Sequence, residues 1–140
     1  MPVLATNKAK QVEDLFIWKI SDELKLSVKE EKSFSEIIRK LNKEKLDLTN
    51  QMDQLTIELK DQKDNKKNQQ ILKKYKVSIQ KYGLTSVQEI DKIEKLIGSE
   101  RTAKYIVLKN DFTSKLKQLL STSTDQTLNP DKNYNTTNSK

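Results

Sequence analysis

Between Phe34 and Leu59 the apolar side chains recur three and four residues apart: Phe34, Ile38, Leu41, Leu48, Met52, Leu55 and Leu59, with Lys45 the one polar residue in the row. A seam of this period over about three and a half heptads requires an α-helix that packs along a second helix, knobs into holes. It predicts one long helix from 28 to about 61. Ser27-Val28-Lys29-Glu30 marks its start. In this Ser-x-x-Glu pattern the cap hydroxyl and the carboxylate three residues on satisfy each other's free backbone N–H groups.

The flanking segments supply partners for that helix. Upstream, Val12, Leu15, Phe16, Trp18, Ile20 and Leu24 predict a short first helix from about 11 that ends near Leu26. Downstream, 61–68 holds no apolar residue and is rich in Asn and Asp, so the chain reverses there. A second seam follows at Leu72, Tyr75, Ile79, Tyr82, Ile90, Ile93 and Ile97, with Ser86 where the spacing changes. Gly83 lies at this irregularity, and Thr85-x-x-Gln88 and Ser86-x-x-Glu89 both offer fresh caps, so a kink or short break is expected near it. Gly98 stands where a helix-ending glycine belongs, and Ser99 can cap a last helix from 100 to about 120 with the face Tyr105, Leu108, Phe112, Leu116 and Leu119.

The expected fold is therefore all-α, with four helices built around a long antiparallel helical hairpin. The only prolines, Pro2 and Pro130, lie near the ends, and the chain holds just 2 Gly, so nothing else punctuates these helices. The helical domain is expected over 10–120. Segments 1–9 and 121–140 are expected to be disordered. In the second, Ser, Thr, Asn, Asp and Lys dominate, with Leu128 and Tyr134 the only large apolar residues, too few to repay the entropy of ordering.

Composition then narrows the function. Hydrophobic and charged residues each make up 34% of the chain, which argues against a thick core. A hairpin two helices thick leaves part of its apolar surface uncovered, and two copies can cover each other, so a homodimer is expected. With neither Cys nor His, disulfides, thiol nucleophiles, soft-metal sites and the commonest general base are all absent. Met1 and Met52 are the only thioethers, and carboxylate pairs such as Glu30-Glu31 and Asp61 with Asp64 read as solvated helix-surface charges. No enzyme activity, cofactor or metal is expected. No stretch approaches the roughly 20 apolar residues that span a bilayer, so no integral membrane segment is expected either. The first ten residues lack the apolar core of an export signal.

The formal charge of +7 is concentrated: from 62 to 81, seven lysines stand against Asp64 alone, a local net +6. Lys66, Lys67, Lys73 and Lys74 are the candidate partner-binding residues there, by attraction of acidic proteins. The same lysines are also read as a hairpin tip kept soluble by charge. Trp18, with Phe16 and Ile17, is either an exposed contact for a partner or part of a helix packed across the hairpin end. Lys45 in the seam reads as a snorkelling or register-setting residue. Nucleic acid is not an expected partner, because no recognised module is present and Tyr75 and Tyr82 belong to the seam.

The order of short helix, Leu-Ser-x-x-Glu, long hairpin, small-residue break and last helix resembles the Spy/CpxP family of periplasmic stress proteins. That family carries two Leu-Thr-x-x-Gln motifs, each capping a helix. Leu26-Ser27-Val28-Lys29-Glu30 stands at the first, and Ile97-Gly98-Ser99-Glu100-Arg101 at the second. Thr102-Ala103-Lys104-Tyr105 looks like the Arg-Ala-x-Tyr continuation of metal-sensor-like relatives, and 18–26 resembles their lead-in helix. The resemblance covers about 11–120. Glu30 and Arg101 replace the family's Gln, and Gly98 replaces its Thr or Ser cap. The resemblance implies export to the periplasm and a cradle-shaped, intertwined homodimer. It further implies ATP-independent, chaperone-like binding of unfolded clients or envelope proteins on a basic and apolar helical surface. The alternative is a regulatory or structural coiled-coil protein that docks one defined partner.

Overall fold

The computed structural model describes the backbone of residues 2–128 and the side chains of 7–121. The described chain is all-helical: α1 spans Pro2–Glu23, α2 Val28–Lys60 and α3 Asn65–Leu128. Where four helices were expected there are three helical elements, and the third is two helices that meet at a kink at Gly98, φ 84 and ψ 166, where the break was expected. The positive φ is what glycine was expected to supply, but this ψ lies outside the left-handed helical well, in a region essentially reserved for glycine. The chain divides into two compact units, 1–102 and 103–140.

The first unit is held by short, well-capped links. After α1, Lys25 takes φ 52. The N–H of Lys25 donates to the Asp22 carbonyl and that of Leu26 to the Ser21 carbonyl, so two free carbonyls at the helix end are satisfied in a Schellman-type turn. The expected capping box at α2 is present. Ser27 Oγ accepts from the Glu30 N–H at 3.1 Å, and Glu30 Oε1 accepts from the Ser27 N–H at 3.0 Å. Between α2 and α3 the reversal needs only 61–64, because Asp64 Oδ1 accepts from the Lys66 N–H at 3.0 Å and starts α3 at once.

The seam read from α2 is the one it buries: Phe34, Ile38, Leu41 and Leu55 are buried and Leu48, Met52 and Leu59 half-buried. Ile17, Ile20 and Leu24 complete the core from the side of α1. Contacts pair α2 with the 65–102 stretch of α3 so that partner numbers fall as α2 numbers rise. Glu30 meets Arg101, Lys45 meets Glu89, and Gln51, Gln54 and Leu55 share a hollow with 73–81.

The second seam differs from its expectation. The shielded face of α3 in this unit is Ile71, Tyr75, Ser78, Thr85, Glu89, Ile93 and Ile97, while Leu72, Ile79 and Ile90 are 46%, 50% and 40% exposed. Polar residues occupy the inner face because their groups find partners there. Thr85 Oγ1 donates to the Lys81 carbonyl at 2.9 Å, and Glu89 pairs with Lys45. The same bonding removes the expected break at Gly83. Thr85 and Ser86 donate back to the carbonyls of Lys81 and Tyr82 instead of capping a new helix, and α3 runs through unbroken.

In the second unit, Tyr105 is buried and Leu108, Phe112 and Leu116 are half-buried, the expected face, whereas Leu119 is exposed. Helix covers 2–9 and 121–128 of the two segments expected to be disordered, and 129–140 lies outside the described residues. Proline suits the first helical turn, and a formed helix propagates at one hydrogen bond per residue fixed.

Candidate protein-binding surface

Each turn of α3 between 73 and 81 presents a lysine or an apolar residue toward the flank of α2. Lys73, Lys74, Val77, Ser78 and Lys81 from α3 and Gln51, Gln54 and Leu55 from α2 line an open hollow of about 450 Å³. Of its lining, Leu55 and Ser78 are buried, Val77 is 45% exposed, and the rest is three lysines and two glutamines. No carboxylate lines it. An acidic residue set among apolar ones meets there both unlike charge and a surface to desolvate against.

Of the residues singled out in the sequence, the structure brings Lys73 and Lys74 together in this hollow. Lys66 and Lys67 sit in the first turn of α3, exposed and not among its lining. Trp18 is on another element, 61% exposed on α1, where it borders two shallow hollows at the α1–α2 junction. One of these is lined also by Ser21, whose buried hydroxyl has no hydrogen-bond partner. Lys81, Val77, Gln51 and Gln54 were not singled out. Val77 and the two glutamines lie off both seams, and only the pairing of α2 with α3 makes them neighbours.

Three ion pairs and networks hold the scaffold under these surfaces. Arg39 bridges α2 to α1, with Nη1 on Glu13 Oε1 at 2.7 Å and Nη2 on Asp14 Oδ1 at 2.8 Å, while Asn42 Nδ2 donates to Glu13 Oε2 at 2.9 Å. The Asp14 and Glu13 carboxylates raise the Arg39 pKa further. Lys45 Nζ lies 3.1 Å from Glu89 Oε1 and 5.6 Å from the Tyr82 ring centroid. Glu89 is only 3% exposed, so the seam lysine neutralises a buried carboxylate and fixes one register of α2 on α3.

The third pair joins Glu30, in the first turn of α2, to Arg101, just after the kink at Gly98. Arg101 Nη1 and Nη2 donate to Glu30 Oε1 and Oε2 at 3.1 and 2.6 Å, a bidentate fork. The Arg101 guanidinium, then the Ser27 backbone N–H, hold the Glu30 carboxyl down to about 2. In the sequence Glu30 stood out as the carboxylate of the capping box and Arg101 as a replacement for Gln; that one is an acid and the other a base was the available signal that they meet.

Among the described residues no group of three carboxylates is placed to hold a metal ion, and no described helix is long and apolar enough to cross a membrane. Comparison with protein-family models, curated proteins and solved structures finds no match for this chain.

Proposed function

We propose that this chain is a non-enzymatic, ATP-independent protein-binding protein of Spy/CpxP type. In this reading α2 and the 65–97 arm of α3 form an antiparallel hairpin, two hairpins form a homodimer, and the dimer binds non-native or envelope proteins in the periplasm. The observation that carries the reading is the hollow of Lys73, Lys74 and Lys81 over Leu55 and Val77. A basic rim on an apolar floor suits exposed, acidic and apolar segments of many proteins and has none of the steric detail that selects one small molecule. Exposed Trp18 adds a second apolar contact on α1.

Aggregation suppression tests it. The purified chain is added to several unrelated unfolding clients, and we expect protection of most of them at near-stoichiometric ratios without nucleotide. Protection of none, together with tight binding to one native envelope protein, would replace this reading with that of a dedicated docking protein.

A further inference from the structure

On the side of α3, four residues of the hollow form one regular unit of helix surface. Lys74, Val77, Ser78 and Lys81 are spaced i, i+3, i+4 and i+7, the diamond that receives one side chain of a second helix in knobs-into-holes packing. Only Ser78 of the four is buried, whereas Lys74, Val77 and Lys81 are exposed, so the diamond lies open beside α2. The edge of α2 repeats the spacing with Gln51, Gln54 and Leu55, at i, i+3 and i+4. The hollow therefore has the form of a seat, between two helices, for a side chain of a third.

Charge adds a length to this shape. Lys67, Lys74 and Lys81 follow one another at intervals of seven residues, about 10.5 Å along a helix, and all three are exposed. Among the described residues none of them forms an ion pair within the chain. A helical occupant presents residues seven apart on one face at the same rise. An extended segment repeats on one face every two residues, about 6.7 Å, and meets the row out of step. We infer that the hollow takes an amphipathic α-helix of another protein, with an apolar side chain seated between Lys74 and Lys81 and an acidic residue one turn away on either side, the two acids seven residues apart. A second copy of the chain does not supply that stripe. Its only carboxylates seven apart are Glu23, which ends α1, and Glu30, in α2, with the turn at 24–27 between them. The inference rests on the client-binding reading of this hollow and narrows the client from any acidic and apolar segment to one that forms a helix.

Fluorescence anisotropy of labelled peptides with the full chain tests it. The first peptide is an alanine-based helix with Glu, Leu and Glu at i, i+4 and i+7. A second has the same composition with the acids moved to different faces, and a third has the first pattern with one central Ala replaced by Pro, which breaks the helix. The first is expected to bind at least about tenfold more tightly than either of the others. Lys74→Glu with Lys81→Glu is expected to lose the first peptide and to bind one in which Lys replaces each Glu, with native helicity by circular dichroism because both lysines are exposed. Equal affinity for the first two peptides, no binding of any, or binding of the first that survives the charge reversal overturns the helical seat, and aggregation suppression reports separately whether unfolded clients are protected. Pattern-dependent binding of the first peptide with no protection of any client supports the seat and overturns the chaperone-like reading.

Discussion

The Glu30–Arg101 fork shows what a pair of single residues contributes, and its pH dependence has a definite sign. The folded Glu30 pKa, about 2, lies below the ordinary 4.5, so the folded state favours the carboxylate. The contribution is fully present above about 4.5 and is lost as pH falls through about 2. We therefore expect the melting temperature of the native chain to exceed that of Arg101→Gln near neutral pH and the two to converge between these values; a gap that stays constant down to pH 2 would show that the fork adds nothing beyond shape. The buried pair behaves differently. Removing only the cation, by Lys45→Met, takes its ion-pair partner from the buried Glu89 and is expected to cost about 3 kcal/mol. Lys45→Met combined with Glu89→Leu should recover much of that loss, because the desolvation of both charges disappears with them. Chemical denaturation of the three variants separates these outcomes.

At the scale of the element, the two glycines should respond in opposite directions. Gly83 is helical with no neighbour near a Cβ, so Gly83→Ala gains helix propensity and is expected to stabilise by about 1 kcal/mol. Gly98 sits at φ 84 and ψ 166, where any Cβ is strained, so Gly98→Ala is expected to destabilise by about 1–3 kcal/mol. Equal effects in thermal melts would mean that the break in α3 is not at Gly98. The seam of α2 was legible from spacing alone because its inner face is apolar except for Lys45, and the capping box at Ser27 announced its start. On that seam, Leu55→Asp is expected to cost about 3 kcal/mol or more, against within about 0.5 for Lys63→Asp in water at the turn. The returning arm was not legible in the same way. Its buried face contains Ser78, Thr85 and Glu89, and hydrophobicity assigns the interior to Leu72, Ile79 and Ile90 instead. Only the partners that satisfy Thr85 and Glu89, a backbone carbonyl one turn back and a lysine 44 residues earlier, explain the rotation. The hollow was half legible for the same reason: the lysine cluster was visible, but its apolar floor depends on which face of α3 meets α2.

For the whole molecule, the proposed binding of clients would divide its work between the surplus of positive charge and the apolar surface beside it. Long-range attraction by the lysines acts before contact, whereas Leu55, Val77 and the lysine stems act only after water is excluded. Added salt should therefore slow association of an acidic unfolded client much more than it speeds release. Neutralising Lys74 and Lys81 to Gln should mimic the salt effect. Neither lysine forms an ion pair within the described residues, so helicity by circular dichroism should stay at the native level. Stopped-flow binding at two salt concentrations, native against the double variant, reads both rates at once. If on-rates are indifferent to salt and the variant binds as the native chain does, the lysines serve only to keep the hairpin tip in water, and capture has to be sought at Trp18 and the hollows it borders on α1.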